Sequence, residues 1–165
     1  MPSEQVGVKE QISDIVLGLV GVSADLQEIS RGIHPAILSK GGLGPALKSL
    51  ARRSAVPVDL DVDLGLDARA PESTEVAAYY VVAESLTNAA KHARASEVDL
   101  RVRTAGGNLE LSIRDDGIGG ADPAQGSGLI GLRDRVEALG GQIEITSHAG
   151  NGTSLLVTIP LFADE

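Results

Sequence analysis

At 165 residues, with a formal net charge of −9 and no cysteine, the chain has room for one packed domain and an appendage, not for two full domains. The acidic balance argues against a nucleic-acid groove or an anionic membrane surface as partner. The lack of thiols excludes disulfides and thiolate metal sites and fits a reducing, cytoplasmic location. Hydrophobic residues make up 42% of the chain but aromatic ones only 2%, so the core must be aliphatic.

In chain order, residues 4–33 predict a helix. Ile12, Ile15, Leu19, Val22, Leu26, Ile29 and Ile33 recur at spacings of 3, 4, 3, 4, 3 and 4, a coiled-coil seam that suits helix-on-helix contact. Gly18 and Gly21 interrupt it at about 1 kcal/mol each, so this arm needs a partner helix, the alternative being one amphipathic helix packed on its own domain. The longest apolar run, Ile15 to Val22, is about one third of a membrane span, and no basic start precedes an apolar run as in a signal peptide. His34-Pro35 ends the helix, and a linker-like boundary falls near residues 34–44. The expected division is therefore 1–34, a helical arm, and 35–165, a domain.

Pro45 opens a helix over about 45–54. Val58, Leu60, Val62 and Leu64 alternate with Asp59, Asp61 and Asp63, the pattern of a half-buried strand. A long helix follows from Pro71 to about Arg94, with Val76, Tyr79, Ala83, Leu86 and Ala90 expected on its core face. Strands are expected at about 97–104 and 108–115, joined at Gly106-Gly107. A helix spans about 128–139 and stops at Gly140-Gly141. Strands at about 142–148 and 153–161 close the chain around Gly150-Asn151-Gly152. Together these give an α/β (α+β) two-layer sandwich, helices on one face of a mostly antiparallel sheet, preceded by a coiled-coil-like helix.

Chemistry concentrates on one helix and two glycine loops. At 100° per residue, Glu84, Asn88, Lys91, His92 and Ala95 share an arc of the long helix. The asparagine carbonyl is a hard neutral oxygen suited to magnesium, Glu84 one turn away can hold a metal-bound water or accept a proton, and Lys91 and His92 can meet phosphate charge. Asp115 ends the strand Leu109-Leu111-Ile113 and begins Asp115-Asp116-Gly117-Ile118-Gly119. A carboxylate there accepts a hydrogen bond from an exocyclic amine, which adenine has and guanine replaces by a carbonyl. Gly117 and Gly119 let backbone approach a flat ring, and Asp116, at the variable position before Gly117, is read as solvent-facing. Gly126-Ser127-Gly128-Leu129-Ile130-Gly131 opens the next helix, whose free N–H groups suit a phosphate chain. Gly120 to Gln125 reads as a short cover over the ligand, and Thr153 as a hydroxyl reaching the base through water. No G-x-x-x-x-G-K-[ST] loop occurs. The pattern points to ATP with Mg2+.

The ordered set Glu84-x-x-x-Asn88-x-x-Lys91-His92, Asp115-x-Gly117-x-Gly119, Gly126-x-Gly128-Leu129 and Gly152-Thr153 resembles the ATP-binding domain of the gyrase/Hsp90/histidine-kinase/MutL superfamily. The segments Gly131 to Gly141 and Arg31-Gly32-Ile33-His34-Pro35-Ala36-Ile37-Leu38 are similar to nitrate-sensor-type (NarX/DesK-like) sensor histidine kinases. The resemblance implies a Bergerat fold in which Asp115 reads adenine, Asn88 ligates Mg2+ and Glu84 orients a water or assists the phosphoryl acceptor. Lys91, His92 and the Gly126–Gly131 loop hold phosphates, and the γ-phosphoryl group passes to a histidine and then to a response regulator. It also implies a homodimer joined through the N-terminal helix and the cytosolic portion of a larger sensor. Of His34, His92 and His148 none fits the acceptor position, and residues 4–33 correspond to the second helix of the dimeric bundle, so the chain is expected to bind ATP without phosphorylating itself. An anti-sigma-factor-type serine kinase would need neither the seam nor the His34-Pro35 junction. An ATP-driven clamp of the gyrase or MutL type would need a transducer domain after the last strand.

Overall fold

The computed structural model describes Ile12, Ile15 and residues 35–65, 69–122, 124 and 126–162. The chain divides into two units, Met1–His34 and Pro35–Glu165. In the first, Ile12 and Ile15 are helical and exposed. The rest of the predicted seam, the dimer contact built on it and His34 lie outside the described residues.

The described residues of the second unit hold five strands: β1 (Val58–Asp63), β2 (Val98–Ala105), β3 (Asn108–Asp115), β4 (Gln142–Ser147) and β5 (Thr153–Pro160). They form one sheet in the order β1-β2-β3-β5-β4. Only the β1–β2 pair is parallel, and a parallel pair needs a long crossover, here the helix α3 (Glu72–Asn88). The tight β2–β3 hairpin turns on Gly106 and Gly107, at φ 56° and 79°, the positive values a two-residue type I′ turn demands.

Strand alternation assigns the faces. Val98, Leu100 and Val102 of β2, Leu109, Leu111 and Ile113 of β3, and Leu155, Val157 and Ile159 of β5 are buried. The register aligns them into rows, Leu100–Ile113–Leu155–Ile145 and Val102–Leu111–Val157–Ile143. Packed on that face are α1 (Ala36–Gly41), α2 (Leu43–Arg53), α3 and α4 (Ser127–Glu137), through Leu38, Leu47, Val81, Val82, Leu132 and Val136. Each fully buried Leu or Val contributes about 1.5–3 kcal/mol. The opposite sheet face carries Asp99, Arg101, Arg103 and the half-exposed Leu156. This is the expected two-layer sandwich. Among the described residues no helix is long and apolar enough to cross a membrane.

Two expectations are corrected. The stretch 35–44 is not a linker: α1 and the start of α2 occupy it, broken only at Gly42 with φ 75°. Arg69 fastens this corner, donating to the Glu75 carboxylate at 3.0 and 3.3 Å and to the Leu38 carbonyl at 2.5 Å. Buried Glu75 thereby keeps a partner for its charge. The core face of α3 is also different. Ala77, Ala78, Val81, Val82, Ser85 and Ala89 are buried with Leu86, whereas Val76, Tyr79 and Ala83 are half-buried and Ala90 is exposed. The helix lies between α2 and α4 and also meets the sheet, so burial extends around more of its circumference than one stripe. Tyr79 and Tyr80 meet edge to face at 5.7 Å, and the Arg135 guanidinium lies 4.6 Å over the Tyr80 ring, a cation–π distance.

Candidate functional site

The inward rows of the sheet end in Val98, Asp115, Thr153 and Ser147, paired in turn across β2, β3, β5 and β4. Asp115 shares the parity of Leu109, Leu111 and Ile113, so the strand that builds the core also aims this carboxylate to the helix side. There it lines a cleft of about 490 Å3, a size typical of small-molecule sites. Val98, Ile113 and Leu155 form its apolar floor.

Asp115 is 8% exposed. Its Oδ1 accepts from the Gly117 amide at 2.9 Å and from the Thr153 amide at 3.3 Å. Among the described residues no hydrogen bond reaches Oδ2, which leaves that oxygen as an acceptor for a ligand. The loop after Asp115 is clamped to the end of the long helix: Ile118 N–H donates to the Ala93 carbonyl at 2.7 Å, and Gly150 N–H to the Ile118 carbonyl at 2.7 Å. Side chains would prevent this. A Cβ on Gly117 would collide with the Ala93 carbonyl, and one on Gly152 with the Asp115 carbonyl. Asp116 is exposed, as expected, and is occupied structurally, accepting from the Ser96 amide at 2.8 Å, the Glu97 amide at 3.1 Å and the Ser96 hydroxyl. These bonds hold its carboxyl below the usual range, the Ser96 hydroxyl most of all.

The second wall comes from α3 and its continuation. Beyond Asn88 the chain passes into a π-helical turn, Ala89–Ala93, closed by Arg94 in the left-handed region at φ 49°. Glu84, Ser85, Asn88, His92 and Ala93 face the cleft. The wider i→i+5 turn spoils the uniform 100° projection beyond Asn88, which accounts for Lys91 being exposed and off the wall while His92 stays on it. Ala95 lies beyond the helix altogether.

The mouth is formed by Gly126, Ser127, Gly128 and Leu129 at the start of α4, with Gly119, Gly120, Ala121 and Asp122 on the loop side. Gly128 packs so closely on Glu84 that a Cβ there would meet its Oε1. Backbone N–H groups at the first turn of α4 face an anion favourably.

Of the expected ligand contacts, Glu84, Asn88, His92, Asp115, Gly119, Gly126, Ser127, Gly128, Leu129 and Thr153 come together on this one cleft. Lys91, Gly117, Ile118, Ile130 and Gly131 do not line it. Gly117 is buried as a structural contact, and Ile118 and Ile130 are 52% and 45% exposed. Of the expected cover, Pro123 and Gln125 lie outside the described residues. Sequence reasoning missed the floor residues Val98, Ile113 and Leu155, the wall residues Ser85 and Ala93, and Ser147 behind Thr153. The missed signal is parity: Ser147 continues Ile143 and Ile145 as Asp115 continues Leu111 and Ile113, a polar residue at the end of an apolar row.

A carboxylate acceptor over an apolar floor at the deep end, an amide and an imidazole midway, and helix N–H groups at the mouth together suit a flat amine-bearing ring with an anionic tail. A family model described as histidine kinase-, DNA gyrase B-, and HSP90-like ATPase matches residues 73–163. The chain is similar to the signal transduction histidine-protein kinase/phosphatase DegS of Brevibacillus brevis, 31% identical over 96% of this chain and 44% of that protein. It is also similar to the sensor histidine kinase NarS of Mycobacterium tuberculosis, 31% identical over 92% of this chain and 37% of that protein. The chain thus spans less than half the length of either relative. Among solved structures it resembles the Erythrobacter litoralis EL346 blue-light activated histidine kinase, with a TM-score of 0.59 and 30% identity over 72% of this chain and 40% of that one.

Proposed function

The chain belongs to the family of histidine kinase-, DNA gyrase B-, and HSP90-like ATPases, and we propose that it is the ATP-binding catalytic part of a sensor histidine kinase. The family membership carries the use of ATP. The observation that carries its orientation is Asp115, buried at the deep end with one oxygen tied to the loop and the other open to the cleft. Adenine lies on Val98, Ile113 and Leu155 with its amine on Oδ2, a charge-assisted bond contributing about 1.5–3 kcal/mol. The phosphates run towards Gly126–Leu129, where helix N–H groups and dipole receive them, with His92 beside them.

Magnesium fits the donors. Asn88 and Glu84 offer two oxygen-bearing side chains one turn apart on the cleft wall, and among the described residues no group of three or more acidic, His or Cys side chains could cage an ion. That matches a cation held by phosphates, water and one or two protein ligands. When bound it neutralises phosphate charge. The chain's own contribution is positioning: Asp115 fixes the base, α4 fixes the tail, and Glu84 receives a proton or orients a water near the terminal phosphate.

The names of the relatives support transfer of the γ-phosphoryl group to a histidine side chain and thence to a response regulator. Pairing of two copies through residues 1–34 belongs to the same reading and rests on the 3,4-spaced apolar seam of the sequence. None of the three histidines of this chain is assigned as the acceptor. Calorimetric titration with a non-hydrolysable ATP analogue is expected to give one site per chain whose affinity rises with magnesium. Absence of adenine-nucleotide uptake by the folded protein overturns the reading. Incubation with γ-labelled ATP is expected to leave no acid-labile label on this chain, and such a label would restore one of its histidines as acceptor.

A further inference from the structure

Ser147 is the fourth member of the row Val98–Asp115–Thr153, and the nucleotide reading leaves it without a role. Its hydroxyl oxygen lies 2.8 Å from Thr153 Oγ1 and accepts from the Ala121 amide at 3.0 Å. Thr153 and Ala121 both line the cleft, on its floor and its loop wall, while Ser147 stands behind them. One serine thus joins two walls of the site through hydrogen bonds.

We propose that Ser147 is a positioning residue for base selection, turning the Thr153 hydroxyl into a donor towards the ligand while pinning the loop wall at Ala121. The inference rests on the adenine reading of Asp115. A serine hydroxyl has one proton and two lone pairs. Ala121 N–H occupies one lone pair; the 2.8 Å contact allows either hydroxyl to donate, and the arrangement proposed is the one in which the serine proton goes to Thr153 Oγ1. The Thr153 proton is then directed to the cleft. Asp115, ionised, only accepts. An acceptor and a donor side by side on one sheet row match a ring edge that offers an amine beside an unprotonated ring nitrogen, as adenine does. Guanine presents the reverse, a carbonyl beside a protonated nitrogen. Without Ser147 the Thr153 hydroxyl would rotate freely and serve as donor or acceptor alike, so discrimination would fall although no direct ligand contact was removed.

Ser147→Val and Ser147→Thr test this, since both side chains are favoured in strands and only threonine keeps the hydroxyl. The measurements are dissociation constants for non-hydrolysable ATP and GTP analogues with magnesium, and amide exchange at Ala121 in nucleotide-free protein. The valine variant is expected to bind the ATP analogue about fivefold more weakly, the equivalent of one neutral hydrogen bond. Its ATP-over-GTP preference should shrink and its Ala121 amide should exchange faster. The threonine variant should restore all three. A valine variant with parental preference and parental Ala121 protection overturns the proposal, as does a folded threonine variant as impaired as valine. If the valine variant does not fold, Ala121 exchange in the parent decides: an unprotected amide overturns the pin. A parent that takes up no ATP analogue defeats the adenine reading itself, an outcome distinct from any of these.

Discussion

In the loops around Asp115, Gly117, Gly119 and Gly152 lie with their backbones against the carbonyls of Ala93, His148 and Asp115, whereas at the α4 end Gly126 and Gly131 face open space and Gly128 meets the carboxylate end of the Glu84 side chain. The same residue type therefore does two different jobs within one site. In the first region glycine is a steric requirement, because three segments of backbone meet with no room for a Cβ. In the second no backbone stands in the way of a Cβ, and glycine chiefly loosens a helix start. The proposed base end is thus built as a fixed mould, hydrogen-bonded to strand and helix, and the proposed phosphate end as a more pliant mouth. A recognition carboxylate gains from a fixed frame, since selectivity depends on keeping one oxygen in place. A mouth that admits and releases a charged tail does not need that stiffness.

The contrast is broken most directly at Gly152. An alanine there would have to hold φ 71° and push its Cβ into the Asp115 carbonyl. Strain of about 1–3 kcal/mol and overpacking of about 1–3 kcal/mol add up to an expected loss of about 2–6 kcal/mol in urea unfolding. A loss below about 1 kcal/mol, no more than an ordinary substitution costs, would mean the deep end is not the rigid mould described.

Asp115→Asn sharpens the comparison on the binding side. The asparagine carbonyl can still accept from Gly117 and Thr153, while its NH2 replaces the oxygen open to the cleft. The ATP analogue is expected to bind about 1.5–3 kcal/mol more weakly with an unchanged melting temperature. Asp115→Ala is a poorer probe than the sequence suggests, because it also strips the acceptor from two backbone amides and should cost stability as well as affinity. Asparagine binding at parental strength would remove Asp115 from the base.

At the pliant end the sign of a glycine substitution should reverse. Gly131 sits inside α4, exposed, with nothing within reach of a Cβ. Gly131→Ala is expected to stabilise the protein by about 0.5–1 kcal/mol through helix propensity. Destabilisation would show a packing constraint there, and a loss of ATP-analogue affinity would return Gly131 to the phosphate loop.

The same division describes what the sequence makes legible. Strand alternation and turn glycines locate all five strands to within about two residues, because register and burial both follow a period of two. Asp115 stands out as a charge at an apolar parity. The core face of α3 is not legible in this way, since a helix flanked by two others buries residues around much of its circumference and no single stripe marks the sheet. The π turn at Ala89–Ala93 is invisible for a different reason. Alanine, lysine and histidine at these positions suit an ordinary α turn, and it is the docking of Ile118 on the Ala93 carbonyl that coincides with the wider one. The short helix α1 is hidden by Gly41 at its end and by Gly42 and Gly44 just beyond, which read as a linker until Leu38 in α1 and Leu43 in α2 are seen buried. Ser147 was open to view by the parity rule that singles out Asp115, and a lone serine carries too little chemical contrast to draw notice.

The smallest expected effect belongs to the bond set that ties Asp116 to the start of β2. Its carboxyl is held below the usual range by the Ser96 hydroxyl first, then by the Glu97 and Ser96 amides. A lowered value in the folded state means that the unfolded chain binds the proton more readily, so acid favours unfolding. The contribution is therefore complete above the unfolded value and disappears as pH falls through the folded one. Asp116 is exposed, so solvent screening keeps the effect modest. The melting temperatures of the parent and Asp116→Asn should differ by a constant amount near neutral pH, and the gap should close on descent through the carboxylate range. A gap that persists in acid would mean that hydrogen-bond geometry, not charge, holds this corner of the mould.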